Sequence, residues 1–247
     1  MNKTPEKSHL YALPVPCRII DGFLFVESQA ANGIRQWSEH FDSILIAMPH
    51  VPDQHVNPFF QWISFDDLEL GDRVRIHPLP WGYGPAGHVK HCRAVAAFFR
   101  ERIPQFRYLQ FGISGCTLGD WPALGARVAG RMGRSYGVHT DWVTHQMDIP
   151  SDVHNLRRLR RAVEKKAMYH AEKSIIRGAS LGLFHGADTY EVYREWCSNP
   201  QLIHDVHVSP SQLPSVSDIQ RKCDRASKGC KLKVVYAGRA VEMKGPK

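Results

Sequence analysis

The sequence has no Cys-x-x-Cys pair, no internal repeat, no low-complexity tract and no long apolar run. Its six cysteines, Cys17, Cys92, Cys116, Cys197, Cys223 and Cys230, are scattered. That spacing argues against a zinc finger and against a disulfide framework. Apolar runs such as 43–48 fall far short of the roughly 20 residues that a membrane-spanning helix needs. The amino-terminal residues, Met1-Asn-Lys-Thr-Pro-Glu-Lys-Ser, lack the apolar core of a signal peptide. The expected location is therefore cytoplasmic. Acidic residues are in short supply: 24 Asp and Glu stand against 32 Lys and Arg, a formal charge of +8. An excess of this size points to anionic partners, whether nucleic acid, anionic lipid or nucleotide phosphate. A nucleic-acid binder is disfavoured, because no recognisable module or platform of aromatic and basic residues is present.

What is present is an alternation of short apolar strands with helical periods. Arg18–Val26 is expected to form two strands that turn at Asp21-Gly22, a favoured hairpin dipeptide. Helices are expected over 31–41, 88–102, 120–132, 152–177, 188–197 and 216–226, and strands over 43–48, 73–77, 108–113, 136–139, 180–185, 201–204 and 232–237. The order predicts an α/β fold with a Rossmann-like, doubly wound sheet. The polar stretch 209–217 is the best linker. The expected domains are 1–208, then a linker and helix over 209–229, then the start of a second domain over 230–247.

Several motifs could carry chemistry. Gly82-Tyr-Gly-Pro-Ala-Gly87 matches the spacing of a dinucleotide fingerprint, but Pro78, Pro80 and Trp81 separate it from the preceding strand. It is better taken as a loop that caps the next helix or lines a cleft. His139, Asp141 and His145 follow the end of a strand, where open α/β sheets gather their sites. A histidine there can bind a sugar hydroxyl or move a proton. Asn32-Gly33 precedes or caps a helix. Residues 156–166 carry Arg157, Arg158, Arg160 and Arg161 beside an apolar stripe of Leu156, Leu159, Val163 and Ala167. Such a helix either packs on the core with its cations in water or rests on an anionic membrane. His88 and His91 lie one helical turn apart beside Cys92, but no third ligand is evident and no metal is expected.

The final stretch, Lys231-Leu-Lys-Val-Val-Tyr-Ala-Gly-Arg-Ala-Val-Glu-Met-Lys-Gly245, is an apolar strand followed by a glycine and two cations. Glycine permits close approach to a pyrophosphate, and the cations neutralise it. This stretch resembles the start of the second domain in retaining GT-B glycosyltransferases of the group 1, family 4-like type. Residues 37–49 and 180–193 are similar to early and late parts of that family's first domain.

The resemblance implies a sugar transferase that takes a nucleotide-diphosphate sugar as donor and an acceptor hydroxyl, with retention, in polysaccharide or glycolipid synthesis. It implies that Gly238, Arg239 and Lys244 hold the donor phosphates, that His139, Asp141 or His145 faces the sugar, and that Asn32, Gly33, Tyr83 and Gly84 lie on the acceptor side. It implies no cofactor and a glycan or lipid-linked acceptor, with peripheral contact at the inner membrane face. The family's Glu-x7-Glu motif does not occur after residue 231, so the expected chain is truncated early in the donor domain and inactive alone. The alternative is a non-catalytic remnant that binds a membrane or a glycan.

Overall fold

The computed structural model describes residues 7–146, 155–204 and 213–231. The chain separates into two compact units, Met1–Asp205 and Val206–Lys247. In the first, β1 (Ser8–Ala12) leads into a hairpin of β2 (Cys17–Ile20) and β3 (Phe23–Glu27). Then come α1 (Ser28–Ser38), β4 (Ser43–Pro49), β5 (Trp62–Ser64), β6 (Val74–Leu79), α2 (Pro85–Arg102) and β7 (Tyr108–Gly112). The remainder is α3 (Trp121–Arg131), β8 (Gly137–Thr140), α4 (Asn155–Gly178), β9 (Leu181–His185), α5 (Ala187–Tyr193) and β10 (Pro200–Ile203).

Seven strands form one sheet in the order β10-β9-β8-β7-β1-β4-β6, and every neighbouring pair is parallel. The order runs outward from β1 in both directions, as in a doubly wound, Rossmann-like sheet. Side-chain alternation splits the core between the two faces. Leu10, Ala12, Leu45, Ala47 and Leu79 join the cluster containing residues of α2, α3, α4 and α5. Tyr11, Leu13, Ile44, Ile46 and Met48 join Ala31 and Ile34 of α1 and Val26 of the hairpin. A second, antiparallel sheet of order β2-β3-β5 completes that side. At the hairpin turn Asp21 and Gly22 both have positive φ, 51° and 84°, which is the geometry such a two-residue turn demands.

Several elements depart from the sequence expectation. The sequence pattern predicts no strand at Ser8–Ala12, yet it is the centre of the sheet and all five of its residues are buried. Helix α1 starts at Ser28, where Glu27 caps it by accepting from Gln29 N (2.9 Å) and Ala30 N (3.1 Å). Asn32 and Gly33 therefore lie inside the helix. The expected cap at Asn32 is corrected: the hairpin ends in an acidic residue, Glu27, that takes the cap five positions earlier. Helix α2 begins at Pro85, whose fixed φ suits the first turn.

In the second unit the described element is α6 (Val216–Ser227), closed by a capping box between Ser215 and Asp218. The strand expected at 232–237 lies outside the described residues. No described helix is long and apolar enough to cross a membrane.

His9 is the odd residue of the core. It is 2% exposed, stacks on Phe41 at 4.5 Å between centroids, and its Nδ1 has no hydrogen-bond partner. Burial lowers its pKa from 6.5 to about 4. Between those values the unfolded chain binds the proton and the folded chain does not, so stability falls as pH falls through that window. The loss amounts to as much as about 3 kcal/mol. Denaturant titrations at pH 7 and pH 4.5 should show that His9→Phe flattens this acid limb and costs little at pH 7. An unchanged slope would remove His9 from the explanation.

Candidate functional site

In an open α/β sheet the ligand crevice lies beyond the carboxyl ends of the strands, where the strand order reverses. Here that point falls between β1 and β7. Three loops meet there. The chain after β1 contributes Leu13 and Pro14, the β6–α2 loop contributes 80–84, and the β7–α3 loop contributes 113–120.

Close packing explains the glycines of these loops. A Cβ on Gly82 would lie 1.9 Å from the Trp121 ring, and one on Gly119 would lie 2.6 Å from the Gly82 carbonyl. Two of the glycines in the fingerprint-like stretch thus serve close packing: Gly82 between loops, and Gly87 where the first turn of α2 folds back on Gly82, whose backbone would lie 3.2 Å from its Cβ. Gly84 differs: its φ is +94° and its surroundings are open. Further bonds fix the loops. Trp121 Nε1 donates to the Pro80 carbonyl at 2.7 Å, and the Tyr83 hydroxyl donates to the Pro14 carbonyl at 3.3 Å. Gly119 N donates to His88 Nδ1 at 3.1 Å, which leaves the proton of a neutral ring on Nε2. A dinucleotide fingerprint would instead occupy the turn after β1, and here that turn opens into a β-hairpin.

Asp120 organises the β7–α3 loop. Its carboxylate is 3% exposed and accepts from Ser114 N and Cys116 N, both at 2.8 Å, and from Ala123 N at 3.0 Å. Burial raises its pKa, with these three donors and Arg127 opposing. The loop that it tethers presents exposed Ser114 and Thr117.

Beyond β8 the chain reaches Asp141, which is exposed, and a short turn, Thr144–Gln146. His145 Nδ1 lies 2.6 Å from Glu172 Oε2 of α4, and the Tyr193 hydroxyl donates to the same oxygen at 2.9 Å. Glu172 is 1% exposed. A carboxylate that already accepts the tyrosine proton also accepts from the ring, so Nδ1 carries hydrogen and Nε2 is the basic nitrogen. Trp196 stacks on the His145 ring at 5.7 Å, and Tyr169 meets it edge-on at 5.2 Å. The glutamate's charge and the phenol's burial both raise the Tyr193 pKa, burial being the larger cause. This group adjoins the β7–α3 loop, because a Cβ on Gly115 would lie 3.0 Å from both Thr144 Cγ2 and Met168 Cε. An oriented imidazole beside a crevice can hold or deprotonate a hydroxyl.

The sequence-predicted residues divide accordingly. Tyr83 and Gly84 lie at the mouth of the crevice, and His139 is the penultimate residue of β8, its carbonyl accepting from Ile113 N at 2.9 Å. The partner that fixes His145 is Glu172, not Asp141. Asn32 and Gly33 are in α1 and not in a loop before it. Gly238, Arg239 and Lys244 lie outside the described residues. Arg157 and Arg158 are in α4, with side chains outside the description; Arg160 and Arg161 are exposed. Glu172 was missed by sequence reasoning. Its signal was a lone acid at helical spacing between Met168 and Ile175 or Ile176 on the buried stripe of α4. No group of three or more metal-ligating side chains occurs among the described residues.

No protein-family model matches this sequence. No curated protein matches it. Several solved structures are similar. A UDP-glucosyltransferase from Polygonum tinctorium capable of glucosylating indoxyl is 10% identical, with a TM-score of 0.47 over 91% of this chain and 57% of that one. A UGT from Siraitia grosvenorii, solved in complex with UDP, is 12% identical, with a TM-score of 0.43 over 90% of this chain and 55% of that one. A short-chain type dehydrogenase/reductase from Mycobacterium marinum is 10% identical, with a TM-score of 0.41 over 84% of this chain and 97% of that one. The chain thus spans little more than half the length of the two transferases. At these scores the likeness assigns no activity to this chain.

Replacing Asp120 tests the loop architecture. Asp120→Ala strands three backbone donors and removes the cap of α3, so it should cost about 2–4 kcal/mol in denaturant titration. A cost below about 1 kcal/mol would mean that water replaces the carboxylate readily.

Proposed function

We propose that this chain is the acceptor-side, Rossmann-like part of a glycosyltransferase that moves a sugar from a nucleotide-diphosphate donor to an acceptor hydroxyl. The observation that carries this reading is the Glu172–His145 dyad beside a switch-point crevice whose mouth bears the hydroxyls of Ser114 and Thr117. His145 Nε2 would accept a hydrogen bond from a sugar or acceptor hydroxyl, and Glu172 would keep the ring in the right tautomer. His139 and Asp141 would orient the sugar at the end of β8. Tyr83 and Gly84 would border the acceptor. The expectation that Gly238, Arg239 and Lys244 grip the donor diphosphate belongs to the same reading, as do retention at the anomeric carbon and a role in polysaccharide or glycolipid synthesis. On this reading 1–208 is the acceptor-side domain and 230–247 the beginning of the donor-binding one. The reaction as proposed needs no cofactor beyond the donor substrate.

Saturation-transfer NMR with uncharged alkyl glycosides, and separately with NAD, tests the crevice. Glycosides should bind saturably, lose binding in Tyr83→Ala, and bind about tenfold more weakly in His145→Ala. Saturable NAD binding without glycoside binding would overturn the proposal in favour of a nucleotide-dependent oxidoreductase.

A second reading concerns α4. The apolar stripe does not pack on the core as a buried face would: Leu159 is 64% exposed and Val163 61%. Arg160, Arg161 and Lys166 are exposed beside them. We infer that this segment meets an anionic membrane surface, with the stripe entering the interface and the cations meeting headgroups. Vesicle flotation should depend on anionic lipid and disappear in Leu159→Asp/Val163→Asp. Equal flotation on neutral vesicles, or none on either, would contradict it.

A further inference from the structure

A cleft of about 200 Å³ lies under the carboxyl-terminal end of α2. It stands at the other end of the sheet from the crevice. Arg75 lies near the start of β6, and α2 runs from Pro85 beside the strands' carboxyl ends to Arg102 at their amino ends. The site is therefore separate from the one discussed above and does not depend on its function.

The walls combine two chemistries. Arg75 and His77 are two apart on β6, so they share the face that Leu79 buries toward α2. Phe98 and Arg102 are four apart on α2, so they share one side of the helix. The His77 ring lies flat on Phe98, with centroids 4.1 Å apart and planes 10° from parallel. Phe106 closes the apolar part.

No Asp or Glu lines the cleft. Arg102 Nη1 donates weakly to Gln105 Oε1 at 3.4 Å, and Nη2 lies 3.5 Å from the largely exposed Glu101. A surface pair of that kind is worth little. Arg102 Nε is buried and has no partner. The side chain as a whole is 39% exposed, so its guanidinium can turn to meet an incoming oxyanion and give that donor an acceptor. Burial, and then the charge of Arg102, lowers the His77 pKa. Arginines prefer carboxylate and phosphate because their N–H groups match two oxygens at once.

We propose that this cleft binds a small oxyanion carried on a planar apolar group, with the anion between Arg75 and Arg102 and the flat body against Phe106, beside the stacked His77–Phe98 pair. The volume limits the ligand: drug-sized sites occupy roughly 300–1,000 Å³, and this one is smaller. The head is a carboxylate or a phosphate, and the test separates the two.

The test uses the full chain with three probes: benzoate, phenyl phosphate and inorganic phosphate. NMR follows the ring nitrogens of His77 and the Nε–H of Arg102. At least one aryl anion should shift both saturably, and whichever binds more tightly identifies the head group. Inorganic phosphate should bind more weakly. Arg102→Gln should weaken the aryl anion about tenfold. Arg75 is exposed, so Arg75→Gln leaves the core intact and should weaken binding similarly. Absence of a saturable shift, unchanged affinity in both variants, or inorganic phosphate binding as tightly as the aryl anions would each overturn the proposal. So would competition between an aryl anion and an alkyl glycoside, which would place both in the crevice.

Discussion

Everything in the larger unit depends on β1 holding the middle of a parallel sheet. A parallel strand needs cover on both faces and partners on both edges. β1 has all four: β4 and β7 on its edges, and the two core clusters on its faces. Because the chain winds outward from it in both directions, the loops after β1 and β7 diverge and leave a crevice between them. The crevice is a consequence of topology before any side chain is considered. Glycines at 82 and 119 then allow the flanking loops to touch, and Asp120 holds one of them in shape.

Much of this order is legible in the sequence. The apolar runs at 43–48, 108–113 and 180–185 signal β4, β7 and β9, and Asp21-Gly22 signals the hairpin. The central strand is not legible. Ser8 and His9 interrupt its apolar pattern, and they are buried only because tertiary packing accepts them: Ser8 Oγ takes a bond from Arg107 N at 3.0 Å, and His9 is held neutral among aromatic rings. β5 is three residues long, too short for periodicity to register. The start of α1 is displaced for a related reason. The cap depends on where the hairpin ends, which is a property of pairing between β3 and its neighbours, not of Asn32 itself.

The site shows the same division. Strand ends are visible in sequence, so His139, Asp141 and His145 stand out as a group. Which acid partners which histidine is not visible, because Glu172 is 27 residues away and reaches His145 only through the packing of α4. Burial gives that pair its meaning. A glutamate at 1% exposure shared by Tyr193 and His145 cannot be left without donors, so it holds the ring in one tautomer. The same reasoning isolates Arg102 at the far end of the sheet, where a buried donor lacks what Glu172 has.

Sugar and acceptor hydroxyls belong to the crevice set up by β1. Amide hydrogen exchange with and without a saturating alkyl glycoside tests this most directly. Added protection is expected in 80–84 and 113–120, with little change at 74–77 or 98–106. Protection confined to the latter segments, or spread evenly over the sheet, would contradict it.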